Sequence, residues 1–182
     1  GFTTTDILTA RLGLFEKDYP TKAAQLQFYD ELTARLEGRP GIRAVALTSD
    51  LPARGGQLQP VTIDGVAYPT PQDHPLARRI VITPGYFEIV GVRTMRGRVF
   101  ARTDGPETEP VAIVNERFAE LLFPGRDPLG SRMKLGEDDA PWRTIVGIVP
   151  DLHLGGAVGA NNPRHEGVYI PLAQNVINFM SL

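Results

Sequence analysis

From Ile7 to Leu14 the apolar residues Leu8, Ala10, Leu12 and Leu14 alternate with Thr9 and Arg11. A period of two predicts a half-buried strand. Beyond Pro20, Ala23, Leu26, Tyr29, Leu32 and Leu36 recur at three to four residues, and the run stops at Gly38 and Pro40. That spacing predicts an amphipathic helix with a sharp C-terminal stop. Ile42 to Ser49 is apolar-rich and follows closely, which suits a strand returning beside the first, so the chain is expected to open as β-α-β.

Between Asp50 and Glu109 the texture changes to frequent prolines and glycines. Asp64-Gly65 stands between two short β-prone runs, a hairpin signal because both turn residues need positive φ. Ala77 to Ile82 predicts another strand, and Thr83-Pro84 an N-cap and first-turn proline for a short helix ending before Gly91. From Pro110 the βα pattern returns. Val111 to Val114 predicts a strand, Asn115 an N-cap, and Phe118, Leu121 and Leu122 the buried stripe of a helix closed by Pro124-Gly125. Further strands are expected at Ser131 to Leu135, Trp142 to Val149, Gly167 to Ile170, and from Ile177 to the end. Leu152 to Glu166, rich in Gly and Asn, has the composition of a mobile surface loop.

Two βα-type segments separated by a β-rich stretch predict an α+β fold. Residues 1–49 and 110–182 would form a discontinuous, ferredoxin-like α+β subdomain, and residues 50–109 an inserted β-rich subdomain.

Composition narrows the function. At 182 residues and 42% apolar content, the chain can bury one sizeable core or two small ones. Nineteen Lys and Arg against twenty-one Asp and Glu give a formal charge of −2, too balanced for a chain built around nucleic acid. The absence of cysteine removes disulfides, thiolate nucleophiles and Cys-type zinc sites, and fits an extracytoplasmic domain. No apolar run approaches the ~20 residues needed to span a bilayer. A first residue that is Gly, and an end at FMSL in mid-pattern, suggest a piece excised from a longer chain.

The candidate chemistry is thin. Asp151, His153, His165 and Glu166 supply metal-ligand atoms, but their spacing matches no helical ligand pair and they sit in a polar loop. Ser49-Asp50 lies at a strand end without a nucleophile elbow, so Ser49 is expected as a turn residue. Asp30-Glu31 and Asp138-Asp139 are sequence neighbours on a helix and in a loop, whereas glycosidase acids converge across a cleft. No phosphate loop or dinucleotide fingerprint occurs. Arg78, Arg79, Arg93, Arg96, Arg98 and Arg102 cluster near a single acid, Glu88, and are expected on solvated strand faces paired to Asp104, Glu107 and Glu109. Neither an enzyme nor a cofactor is expected.

Four ordered segments carry a family pattern: ITPGYFEIVGVRTMRGRVFARTD, PVAIVNERFAELLFPGRDPLGSRMKLG, WRTIVGIVPDL and VYIPLAQ. Together they resemble the MacB-like periplasmic core domain of ABC transporter permeases related to MacB, FtsX and the lipoprotein-releasing permeases, with the flavour of duplicated orphan permeases. The resemblance runs from about Asp6 to Gln174. Each segment also has an architectural reading: Gly85 and Gly91 bracket a one-turn helix whose Tyr86 and Phe87 plug a join, Gly97 permits a bend, and Trp142 with the residues after it forms a core strand.

The resemblance implies a two-part, porter-like domain on the periplasmic face of a bacterial inner membrane, non-enzymatic, flanked by transmembrane helices of its parent chain. It implies a cytoplasmic ABC ATPase as the driver, and a second permease copy or periplasmic protein as partner. The function expected is transmission of ATPase-driven motion to export or release of an envelope substrate, or to a partner protein. The competing expectation is a stand-alone binding module for a peptide, lipid or small amphiphile. Contacts are expected on loops: Arg54, Gln57 and Gln59 at the exposed tip of Pro52–Pro60, and His153 and Arg164 in Leu152–Glu166.

Overall fold

Six strands close into a ring in this computed structural model, which describes residues 7–51, 56–152 and 166–182. In chain order the elements are β1 (Arg11–Gly13), α1 (Lys22–Glu37), β2 (Gln57–Ile63), β3 (Leu76–Ile82), α2 (Tyr86–Ile89), β4 (Arg96–Gly97), β5 (Val111–Asn115), α3 (Glu116–Leu122), β6 (Arg132–Leu135), β7 (Arg143–Val149), β8 (Gly167–Pro171) and β9 (Phe179–Ser181). The order β7-β5-β8-β3-β2-β6 returns to β7 through the β6–β7 pairing of Arg132 with Thr144 and Met133 with Arg143. A closed ring of strands has no free edges within it, and its inward residues must fill it. They do: Val61, Ile63, Ala77, Ala112, Val114, Met133, Leu135, Ile145, Ile148, Val168 and Ile170 form one buried cluster drawn from all six strands.

A register shift fits β7 into the ring. Ala112 pairs with Ile145 but Ile113 with Gly147, so Val146 bulges out and both Ile145 and Ile148 face the interior. One end of the barrel is plugged by α3. Asn115 ends β5 and caps α3, its Oδ1 accepting from Phe118 N–H at 3.1 Å and from Gly167 N–H at 2.8 Å. Phe118 and Phe123 then descend onto the barrel interior. Leu121, expected in the buried stripe, points outward at 49% exposure, because a seven-residue helix over a barrel end has room for one narrow contact line.

A second layer packs on the outside of β3, β5 and β8. Tyr86, Phe87, Val90, Val92 and Phe100 cover Ile80, Ile82, Val111, Ile113 and Tyr169. Tyr86 and Phe87 therefore plug a join, as expected. The cap of α2 is Gly85 at φ 88°, a left-handed geometry, rather than Thr83; the Thr83 hydroxyl instead accepts from Leu47 N–H at 2.8 Å.

The third cluster joins α1 to the ribbon formed by β1 and β9, with Tyr29, Leu47, Val81, Leu172 and Met180 at its centre. Tyr29 donates its hydroxyl to Ile177 C=O at 2.9 Å. Here the sequence expectations need correction. The first strand is three residues long, Leu8 is 89% exposed, and only Leu12 and Leu14 of the alternating set pack inward. Ala23 is exposed and the buried face of α1 carries Gln25, whose Nε2 is satisfied by Tyr19 C=O at 3.0 Å. Ile42–Ser49 forms no strand: one bridge residue, Thr48, links Ile82 of β3 to Ser181 of β9.

Asp64-Gly65 does form a turn, but Val66–Tyr68 does not return as a strand. Tyr68 stacks on His74, and β2 reaches β3 through a longer connection. Trp142 precedes β7 and is half-buried, with Arg132 and Lys134 over its ring. Residues 50–109 contribute β2, β3 and β4, and residues 110–182 contribute β5 to β9; β2 and β3 complete the barrel with β5 to β8.

Candidate functional site

Opposite the end sealed by α3, the third cluster covers Val81 of β3 and Leu172 after β8, while β2, β6 and β7 border a cleft. β2, β5 and β7 begin there and β3, β6 and β8 end there, as the strand directions require. Along β2 the inward side read by Val61 and Ile63 continues through Gln59 to Gln57. Along β7 the inward side of Ile145 continues to Arg143, and along β3 that of Ala77 continues to Arg79. On β2 and β7 apolar positions thus give way to polar ones at the mouth, whereas on β3 Arg79 is followed by the buried Val81. These polar residues, with Leu135, Ile170 and Asn175, line the cleft of about 320 Å³, with Glu137 and Asp139 on its rim.

Arg143 is only 3% exposed. Its guanidinium donates to Gln174 Oε1 at 3.2 Å, Gln174 C=O at 3.4 Å and Val111 C=O at 3.4 Å, all neutral acceptors. Burial, and secondarily the charge of Arg79, push its pKa down to about 10. Arg79 donates to Gln57 Oε1 at 3.1 Å and Asn175 Oδ1 at 3.4 Å, while its Nε is buried without a partner. Burial lowers its pKa too, and the nearby charge of Asp50 partly offsets this. Among the described residues, neither guanidinium has a carboxylate within ion-pairing distance.

Gln57 and Gln59 are therefore strand residues at the barrel mouth, not the tip of a loop. Pro60 does not break β2 because the neighbouring ladder uses its carbonyl, which accepts from Gly136 N–H at 2.9 Å. Gly56 lies so close to the Arg79 carbonyl that any Cβ would collide with it, which lets β2 start beside β3. Arg54, His153 and Arg164 lie outside the described residues. Arg79, expected on a solvated strand face, instead turns inward to Gln57 and Asn175, and Arg143 and Asn175 were missed by sequence reasoning; the available signal was an arginine on the inward phase of two apolar strands.

The arginine cluster of 78–102 disperses. Arg98 pairs with Asp104, but Arg96 pairs with Asp127 and Arg102 with Glu37, and Arg78 is only 8% exposed. Ser49 is a turn residue: its hydroxyl donates to Asp50 Oδ2 at 2.8 Å and accepts from Val81 N–H at 2.9 Å. Among the described residues no three His, Asp or Glu side chains group as metal ligands, and no helix is long and apolar enough to cross a membrane.

The profile of the family described as MacB-like periplasmic core domain matches residues 4–181. The macrolide export ATP-binding/permease protein MacB of Aggregatibacter actinomycetemcomitans is 28% identical over 74 residues, an alignment covering 41% of this chain and 11% of that protein. The chain thus matches about a tenth of that relative's length. The periplasmic region of MacB from Actinobacillus actinomycetemcomitans superposes with a TM-score of 0.57 at 14% identity, covering 95% of this chain and 72% of the other. The extracellular domain of the noncanonic ABC-type transporter YknZ from Gram-positive bacteria gives 0.55 at 16%, covering 96% and 82%. At these identities the two structures speak for the α+β fold.

Proposed function

Because the chain belongs to the MacB-like periplasmic core domain family, we propose that it is the non-enzymatic, extracytoplasmic domain of an ABC-type permease, anchored in a bacterial inner membrane by helices of its parent chain. In this role it passes motion driven by a cytoplasmic ATPase to an envelope substrate or to a periplasmic partner, which includes a second permease copy.

The observation that carries the transmission step is the β1–β9 ribbon. Ala10 and Leu182 exchange both backbone hydrogen bonds, at 3.0 and 2.7 Å, so the two ends of the described chain run side by side. A displacement of membrane helices joined at these ends would act on both strands together. The ribbon reaches the barrel through Thr48, which bonds Ser181 on one side, while its neighbours Leu47 and Ser49 bond Thr83 and Val81 on the other. Residues 50–109 are, in this reading, an insertion in chain order that shares the barrel of 111–171 and moves with it. Rigid-body movement of the barrel on the ribbon is the hinge-type element such coupling needs.

The test uses the parent permease with its ATPase. Ser181→Pro removes the N–H that bonds Thr48 C=O; the variant should reach the membrane and hydrolyse ATP normally while export or release falls. Wild-type transport with this bond removed would overturn transmission through the ribbon. Spin labels on α1 and on α3 give a second reading, since an ATP-dependent change in their separation is expected.

A further inference from the structure

The mouth of the barrel holds two guanidinium groups that no carboxylate among the described residues pairs with. Arg143 is almost fully buried with three long contacts, all to uncharged oxygens, and Arg79 presents a buried Nε with no acceptor. A buried cation without a paired anion is costly, and such groups are ordinarily paired or coordinated. Amide side chains rather than carboxylates surround them: Gln57 and Asn175 hold Arg79, and Gln174 holds Arg143. The acids nearby do not fill the gap. Glu137 and Asp139 are exposed on the rim, and Asp50 acts on Arg79 from beyond ion-pairing distance.

The geometry points to a carboxylate-binding site in this cleft, with Arg79 and Arg143 as the charged donors and the amides of Gln57 and Gln59 as neighbouring polar contacts. A planar carboxylate accepts paired N–H bonds from a guanidinium fork, and the partly exposed Arg79 offers the terminal NH groups that now make only contacts of 3.1 and 3.4 Å to Gln57 and Asn175. Leu135 and Ile170 form an apolar floor beside the two arginines, which suits an acid carrying a short hydrocarbon or side chain. A cleft of about 320 Å³ takes a short peptide terminus or a small carboxylic acid. The site does not depend on the transmission role: it concerns what enters the barrel, not how the barrel is moved.

The experiment is heteronuclear NMR titration of this protein with three probes at equal ionic strength: glutarate, the tripeptide Ala-Leu-Ala with a free C-terminus, and the same peptide as its C-terminal amide. Saturable shifts at the side-chain amides of Gln57, Gln59 and Asn175 and at Gly136 N–H are expected with a free carboxylate and not with the amide. Arg79→Gln should weaken binding about tenfold or more and Arg143→Gln at least as much, whereas Arg79→Lys should lose less because it keeps the charge. Arg79 is only partly buried, so Arg79→Gln keeps the comparison sound if the Arg143 variant fails to fold. Saturation by the peptide alone assigns a peptide C-terminus, and by glutarate alone a small acid. Equal shifts from acid and amide, wild-type affinity in Arg79→Gln, or no shift at millimolar probe would overturn the site.

Discussion

Thr48 and Ser181 exchange both backbone hydrogen bonds, at 2.8 and 2.7 Å, and Thr48 also bridges to Ile82 of the barrel. The terminal ribbon thus meets the barrel across the short segment 47–49, held by its backbone bonds and by the Thr83 and Ser49 hydroxyls, and supported by the Tyr29–Leu47–Met180 cluster beneath it. Local opening costs least where few bonds hold a unit in place. Ser181→Pro should cost about 1–3 kcal/mol and accelerate amide exchange at Thr48 and along Leu12–Leu14, leaving the amides of β5 and β8 protected. Uniform acceleration across the barrel would show that ribbon and barrel open as one unit.

Gly97 and Gly147 pack backbone to backbone between β4 and β7. Gly97 has φ 73°, and a Cβ on it would be forced into the Val146 carbonyl, while one on Gly147 would be forced into the Arg98 carbonyl. Neither neighbour is a flexible side-chain end that can move aside. Gly147→Ala should therefore destabilise by about 3 kcal/mol, visible as a melting-temperature fall of roughly 6–12 °C in a chain of this size.

Asn115 is fully buried, and its Oδ1 serves both the α3 cap and the first amide of β8. Asn115→Ala removes an N-cap and leaves Gly167 N–H without that acceptor, a combined cost of about 2–4 kcal/mol. Denaturant unfolding should show a lower midpoint with an unchanged slope, since the exposed area does not change.

Much of this architecture was legible as local pattern. The buried strands, the Asn115 cap and the aromatic plug of α2 follow from neighbours in sequence. What was not legible depends on partners far along the chain. The β6–β7 pairing that closes the ring joins Met133 to Arg143 through a loop whose composition says nothing of register. Ile42–Ser49 has strand composition but lies against Ser181 on one side and Ile82 on the other at a single residue, so only Thr48 bridges. The polar mouth escaped notice for a related reason. Gln57 and Gln59 look like loop residues until the inward phase of Val61 and Ile63 is carried back through Pro60, and Arg79 and Arg143 meet only once the barrel is closed.

Asp104 is gripped by Arg98 through two bonds of 2.7 and 2.8 Å and by Ala101 N–H at 2.8 Å, and these hold its carboxyl below the usual Asp value, against the effect of burial. A carboxylate whose pKa falls on folding stabilises the native state at pH above its unfolded value of ~3.9, and that contribution is lost as pH falls through the folded value. Arg98 is half-exposed, so solvent screens the pair and the expected cost of Asp104→Asn at neutral pH is modest, about 1 kcal/mol. The stability gap between wild type and variant should close as the solution is acidified below about pH 4.

Arg143 carries the opposite sign. Its folded pKa, pushed down to about 10, lies below the unfolded value, so the charged form is bound less well by the native state and burial of Arg143 costs stability at neutral pH. That cost shrinks as pH rises through about 10. Replacing the guanidinium with an apolar side chain of similar length removes the penalty. The contacts it would lose are long, and Gln174 stays anchored by Val111 N–H on its Oε1 at 2.9 Å and by its own Nε2 to Glu109 C=O at 3.0 Å. Arg143→Met should therefore leave stability unchanged or raise it by about 1–4 kcal/mol in urea unfolding. It should also abolish the carboxylate response of the cleft. A loss of more than about 1 kcal/mol would place Arg143 among the residues that hold the barrel together, because a net favourable hydrogen bond is worth about that much. A gain in stability joined to loss of binding would mark it as a residue that costs the fold and serves a ligand.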